Sequence, residues 1–326
     1  MNLKQLHREL KVYNRTGSRR QLFHALSAAM VFLLLISSLV TAQSNSMTPQ
    51  DKFVTVYGQK IHYLEAGSGS VVLLLHGLGS DTSDWSKVIA PLSKHYRVLA
   101  PDQIGAGQSD KPFINYRPMT WVDFIGGFYQ ALKIEHASLV GHSMGGATAA
   151  MFAIAHPEQV ERLVLVDAGY GYAIPEGADP SQLGHNPGTL HLINPATRAE
   201  ARQLLSLAVH NPKAVASEAA VDELFATSAR SGYANQRFIE SIMRREDVLD
   251  GKLNALRSPT LIIQGREDKV TPLTLSERFH HDIAGSNFLM IDNCGHSPNV
   301  EQADQFNAAV LRFLNGKALT TGVNEH

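Results

Sequence analysis

Ser143 sits at the centre of Gly141-His-Ser-Met-Gly145, and a serine hydroxyl becomes a useful nucleophile at neutral pH only with a base beside it. The pentapeptide follows the apolar run Ala137 to Val140 and precedes a small-residue helical stretch from Gly145 to Ala155. That is the strand–turn–helix setting of a G-x-S-x-G nucleophile, whose strained turn exposes the hydroxyl. Side chains at 141 and 145 would collide with neighbouring backbone, and the amino end of the helix favours negative charge in front of it. Of the fifteen histidines, His296 is the best placed base, in the loop Asn293-Cys-Gly-His-Ser-Pro298 directly after the last strand-like run. An acid must hold that imidazole in one tautomer. Asp268 fits, in the loop Gln264 to Pro272 that leaves the preceding run, and the chain order becomes Ser, Asp, His. Asp167, at the end of the run Leu163 to Val166, and Glu267 compete for that role. The loop His76-Gly-Leu-Gly79 can supply an oxyanion hole through the amides of Leu78 and Met144, each donor worth about 3 kcal/mol. Together these parts predict two-step acyl transfer, which needs neither a metal nor an organic cofactor.

The remaining candidates read more plainly. His142 is the variable position of the turn, and the His76 side chain orders its loop. His156 precedes Pro157 at a helix end, and His280 and His281 lie on a late helix. His185, His191 and His210 can at most touch substrate. Cys294, the single cysteine, excludes an intramolecular disulfide and a Cys-rich zinc site; it reads as a small apolar residue in a structural loop rather than a thiol nucleophile.

The elements that must position these groups alternate. Phe53 to Tyr57 and Lys60 to Glu65 read as a hairpin around Gly58. Short continuous apolar runs follow at Val71 to Leu75, Arg97 to Ala100, Ala137 to Val140, Leu163 to Val166, Thr260 to Ile263 and Phe288 to Ile291, as expected of parallel strands buried on both faces. Between them lie helical patterns at Asp84 to Leu92, Thr120 to Leu132, Gly145 to Ala155, Leu275 to Ile283 and Glu301 to Leu314. The repetition predicts an open α/β sheet with helices on both sides. Residues 169–256 break the rhythm: a Gly/Pro-rich loop (Pro175, Gly177, Pro180, Gly184, Pro187, Gly188) leads to helical stretches at Arg198 to Val209, Glu218 to Thr227 and Ala234 to Arg244. So long an insertion between two strands predicts a helical cap, with the core in 43–168 and 257–318. Met119, Trp121, Phe124, Met144, Leu204, Leu207 and Phe225 are candidates to line an apolar pocket beneath it.

The 326 residues carry 29 basic and 30 acidic side chains, with 44% hydrophobic residues, a balance that gives no reason to expect a nucleic-acid partner. Residues 1–42 stand apart. Six basic residues against Glu9 precede an uncharged apolar run, Ala25 to Val40, and the small residues Val40-Thr41-Ala42. This is the pattern of an export signal cleaved after Ala42; the competing reading is an uncleaved anchor that holds the catalytic domain to a membrane, outside the cytoplasm.

His76-Gly-Leu-Gly79, Pro101-Asp-Gln-Ile-Gly-Ala-Gly-Gln-Ser109, Gly141-His-Ser-Met-Gly-Gly146, Gly265-Arg-Glu-Asp268 and Gly295-His296, in that order, resemble the landmarks of the α/β-hydrolase superfamily from about Phe53 to Leu314. The resemblance implies an α/β-hydrolase fold: an eight-stranded, mostly parallel sheet with flanking helices, a helical cap inserted after the sixth strand, and the triad Ser143, Asp268, His296. Pro101 to Pro112 looks like the capped branch of carbon–carbon bond hydrolases, haloalkane dehalogenases, epoxide hydrolases and small carboxylesterases. The second and third use an aspartate nucleophile, which Ser143 argues against. His76-Gly77 is followed by Leu78-Gly79-Ser80, unlike the loop of proline iminopeptidases. The expectation is hydrolysis of a small-molecule carboxylic ester. Carbon–carbon bond hydrolysis or cofactor-free haloperoxidase activity is the alternative, and a non-catalytic binding protein is the reading from another class.

Overall fold

Continuous runs of branched and leucine side chains build the centre of a single sheet in the computed structural model, which describes residues 48–169, 193–215 and 217–317. The strands are β1 (Gln50–Val56), β2 (Gln59–Ala66), β3 (Val71–Leu75), β4 (Arg97–Pro101), β5 (Ala137–His142), β6 (Val160–Val166), β7 (Thr260–Gly265) and β8 (Asn287–Ile291). They lie in the order β1-β2-β4-β3-β5-β6-β7-β8. β1 pairs antiparallel with β2, and β2 with β4; every other pairing is parallel. The β1–β2 hairpin turns at Tyr57 and Gly58, both at positive φ, as a tight two-residue connection requires.

The pleat explains why the central runs are apolar throughout. Leu73, Leu75, Leu139, Leu163 and Leu165 enter a core on one face with α2 (Pro118–Leu132) and α3 (Met144–Ala155). Val72, Leu74, Val140, Val164 and Val166 enter a second core with α1 (Ile89–Ser93) and α9 (Ala303–Leu314) on the other. Both faces are dry, so alternation disappears from the sequence.

Between β6 and β7 the described residues form α4 (Arg198–Ala208), α5 (Pro212–Val215) and α6 (Glu218–Met243), with no strand. The two helices expected at Glu218 to Thr227 and Ala234 to Arg244 are one 26-residue helix. The small residues between them interrupt the apolar pattern but not the backbone: Ser228 and Ser231 are buried, and Ser228 and Asn235 lie close to Gly79. The expected helix from Asp84 starts instead as a 3-10 turn, Thr82–Trp85, capped by Asp81, with α1 following. α7 (Leu273–Asp282) follows β7. The helix expected from Glu301 begins two residues later as α9, and a separate short helix, α8 (Pro298–Glu301), precedes it, because Gln302 leaves helical geometry. Among the described residues no helix is long and apolar enough to cross a membrane. Residues 1–42, the Pro175–Gly188 loop, His185 and His191 lie outside the described residues.

Candidate active site

The turn between β5 and α3 places Ser143 at φ 51°, ψ −119°, a strained conformation costing about 1–3 kcal/mol. A Cβ on Gly141 would lie 2.3 Å from the Gly145 carbonyl oxygen, and one on Gly145 would lie 2.2 Å from that of Leu75, so neither position accepts a side chain. The strain is held by the sheet: Ser143 N–H donates to Val166 O at 2.8 Å, and its carbonyl accepts from the amides of Gly146 and Gly169.

His296 reaches the same place from the loop after β8. Its Nδ1 is 2.8 Å from Asp268 Oδ2. Asp268 is itself pinned from the loop after β7: Oδ1 accepts the amides of Val270 at 2.7 Å and Thr271 at 3.0 Å. Two donors on one oxygen leave the other for the imidazole, so Nδ1 carries the proton and Nε2 keeps its lone pair. Ser143 and His296, with Leu78 and Met144, line one cavity of about 250 Å³. The structure thus brings together all five residues that the sequence nominates, with Asp268 behind the histidine.

Neither competing acid bonds His296, although Asp167 lies against Asp268. Glu267 accepts the Cys294 amide at 2.9 Å. Asp167, fully buried and at φ 41°, accepts the Gly265 amide at 2.8 Å through Oδ1. Burial first, then the Asp268 charge, push its carboxyl well above the usual carboxylate range. Asp167, Asp268 and His296 place potential ligand atoms within 4.8 Å of one another, the one metal-like grouping among the described residues; within it His296 and Asp268 are bonded to each other. Burial pushes the Cys294 thiol up, as do the surrounding carboxylates, so it is no nucleophile at neutral pH. His76 donates from Nδ1 to Gly77 O and accepts the Gln103 amide at Nε2, which spends its ring on shaping the loop. Asp102 accepts the amides of Thr82 and Gln108 and bonds His62, which ties the loop after β4 to β2.

The pocket corrects the expected lining. Met144 and Leu204 face the cavity, but Trp121 and Phe124 line a separate small hollow beside Ile61 and Phe128. Met119, Leu207, Phe225 and His210 do not line it. Leu205, Leu224, Phe238, Ile239, Ile242 and Val270 do. A one-residue slip on a helix rotates a side chain by about 100°, which is why Leu224 rather than Phe225 faces inward. Sequence reasoning also missed Asp84 and His142. His142 Nδ1 lies 2.8 Å from Asp84 Oδ2 and its Nε2 lies 2.6 Å from the His296 carbonyl oxygen. Nothing in the spacing of these residues announces partners 58 and 154 positions away.

The family described as alpha/beta hydrolase fold matches residues 70–303. A 2-hydroxymuconate semialdehyde hydrolase of Pseudomonas sp. (strain CF600) is 34% identical over 272 residues, which cover 79% of this chain and 91% of that protein. The solved meta-cleavage product hydrolase of Pseudomonas fluorescens IP01 is 32% identical with a TM-score of 0.73, over 81% of this chain and 97% of that one. A solved bacterial membrane phospholipase A is 28% identical with a TM-score of 0.72, over 90% of this chain and 96% of that one. A 2-hydroxymuconate semialdehyde contains no ester or amide, so its hydrolysis breaks a carbon–carbon bond. The two more identical proteins therefore side with the carbon–carbon alternative more than with the ester expectation.

Proposed function

Because this chain belongs to the α/β-hydrolase family, we propose that it hydrolyses carboxylic esters with an apolar acyl chain through Ser143 as nucleophile, His296 as base and Asp268 as orienting acid. The observation that carries the reading is the cavity wall. Leu78, Met144, Leu204, Leu224, Phe238 and Val270 converge on Ser143 and His296, a lining that suits an uncharged acyl group. His296 Nε2 takes the Ser143 proton as Oγ attacks the ester carbonyl, and the amides of Leu78 and Met144 hold the oxyanion. His296 then protonates the departing alcohol. Water, deprotonated by the same nitrogen, attacks the acyl-enzyme, and Ser143 recovers its proton.

The second reading is carbon–carbon bond hydrolysis, favoured by the proteins that share 32–34% identity with this chain. Their class of substrate carries a carboxylate. Among the described lining residues there is no lysine or arginine, residues 170–192 contain neither, and both ring nitrogens of His142 are already bonded. A carboxylate buried without a cation is costly, so this reading calls on a cation next to the lining, and Arg237, beside the lining residue Phe238, has a buried Nε with no hydrogen-bond partner.

Turnover of p-nitrophenyl esters from acetate to laurate, by protein lacking residues 1–42 and by its Ser143→Ala variant, tests the proposal beside a 2-hydroxy-6-oxo-dienoate. Ester turnover lost in the variant supports it. Silence on every ester with cleavage of the dienoate replaces it by the second reading, and failure of a fluorophosphonate to label Ser143 would leave only a binding protein. We also propose that residues 1–42 export the chain; a native amino terminus at Gln43 supports cleavage, and an intact one the anchor.

A further inference from the structure

We propose that Asp84 and His142 form a buried ion pair that positions the catalytic machinery, latching the His296 loop and the oxyanion loop to the nucleophile turn. The argument begins with donors and acceptors. The His142 ring touches two oxygens, a carboxylate at Nδ1 (2.8 Å) and the His296 main-chain carbonyl at Nε2 (2.6 Å). A carbonyl only accepts, so Nε2 bears a proton; an ionised Asp84 only accepts, so Nδ1 bears one too. With the shared proton on Nδ1 the two bonds make an imidazolium facing a carboxylate; with it on Asp84 they make a neutral ring facing a carboxylic acid, and the charges and donors around the pair favour the ionised form. The pair is sequestered, with side-chain exposures of 6% and 10%.

The surroundings agree. Burial drags the His142 pKa down, but the Asp84 charge, its hydrogen bond, the His296 carbonyl and the more distant Asp268 bring the net value above that of an ordinary histidine. Burial resists ionisation of Asp84 too, yet His142, His76 and the Gly77 amide hold its carboxyl below the usual range.

What the pair touches defines its role. His142 is covalently next to Ser143. Asp84 Oδ2 reaches the Gly77 amide at 3.5 Å, one residue before Leu78, and a Cβ on Gly77 would meet the Ser143 Cβ at 3.2 Å. The Asp84 carbonyl accepts from Asn299 Nδ2 at 2.7 Å, which ties α8 to the 3-10 turn. Three loops carrying nucleophile, base and oxyanion donor therefore share one buried salt bridge, and the two imidazole rings stand 5.0 Å apart. His142 and Asp84 border the same cavity as Ser143, yet both ring nitrogens of His142 are bonded; it holds His296 by its main chain, while Asp268 holds it by its ring. Misplacing a reacting group by about 1 Å costs about a hundredfold in rate, so a loose latch should be read in kcat.

The inference rests on Ser143 and His296 acting as proposed, and the test separates the two. Fluorophosphonate labelling rate and ester kcat and KM are measured for the wild type, Ser143→Ala, His142→Ala, His142→Gln and Asp84→Leu. Expected are a kcat loss of about tenfold to a hundredfold in His142→Ala and Asp84→Leu with KM nearly unchanged, and partial recovery in His142→Gln, whose amide can still donate to the His296 carbonyl. In histidine-15N-labelled wild type, the imidazole resonance lost in His142→Gln should lose its second proton at a higher pH than an ordinary histidine does. If Ser143→Ala is inactive but His142→Ala keeps kcat and labelling rate within twofold, the latch is refuted while the serine mechanism stands. If the NMR shows His142 losing its second proton no higher than an ordinary histidine, the ion pair is refuted whatever the variants do. An active Ser143→Ala overturns the mechanism instead.

Discussion

Replacing Asp268 by asparagine should cost about 10⁴ in kcat, roughly 5.5 kcal/mol of transition-state stabilisation, by reversing a single proton. The geometry leaves the new amide no freedom. Oδ1 is held by the Val270 and Thr271 amides, at 2.7 and 3.0 Å, so an asparagine must keep its carbonyl oxygen there and turn its NH2 toward His296. His296 Nδ1 then accepts rather than donates, and its proton moves to Nε2, the nitrogen that must receive the proton from Ser143. Folding should survive, because the two backbone bonds to Oδ1 remain. The assay is ester turnover with a thermal melt as the folding control. The companion variant, Asp167→Asn, is the comparison that gives the experiment meaning: it should stay within about tenfold of wild type, because Asp167 bonds the Gly265 amide rather than His296. The reasoning fails if Asp268→Asn stays within tenfold of wild type, or if Asp167→Asn falls as far as Asp268→Asn does.

The same Asp167→Asn variant makes a pH prediction. A carboxyl whose folded pKa exceeds its unfolded value of about 3.9 contributes its stability below that value and loses it as pH rises through the folded pKa. The wild type should therefore lose more Tm between pH 5 and pH 8 than the variant, and each 1 kcal/mol relieved is worth about 2–4 °C; equal pH slopes would contradict the burial argument. Gly145→Ala puts a methyl 2.2 Å from Leu75 O and 2.7 Å from His76 O, both backbone, so urea denaturation should show a loss of about 3 kcal/mol or more. Leu224→Phe fills the cavity from α6 and should move the chain-length optimum toward shorter esters, with each excluded methylene costing about tenfold or more. An unchanged optimum would mean the acyl chain lies elsewhere.

Short windows carried most of what the sequence determined. The nucleophile turn is legible because its glycines, its strand and its helix lie within about twenty residues, and steric exclusion at 141 and 145 is a local property. The sheet is legible because strands dry on both faces must be apolar at every position. The order of serine, acid and histidine along the chain needed only the loops that follow β5, β7 and β8. Tertiary structure decided the rest. The helix pattern placed α6 but not its inward face, because one residue of phase separates Leu224 from Phe225 and only packing sets that phase. The chain order left Asp167 and Asp268 as rivals, and the two amides that aim Asp268 at His296 resolve them. Asp84 and His142 meet across 58 residues, and His142 meets the His296 carbonyl across 154. Such contacts leave no periodicity to read, because they form only when the sheet brings the ends of its strands to one edge.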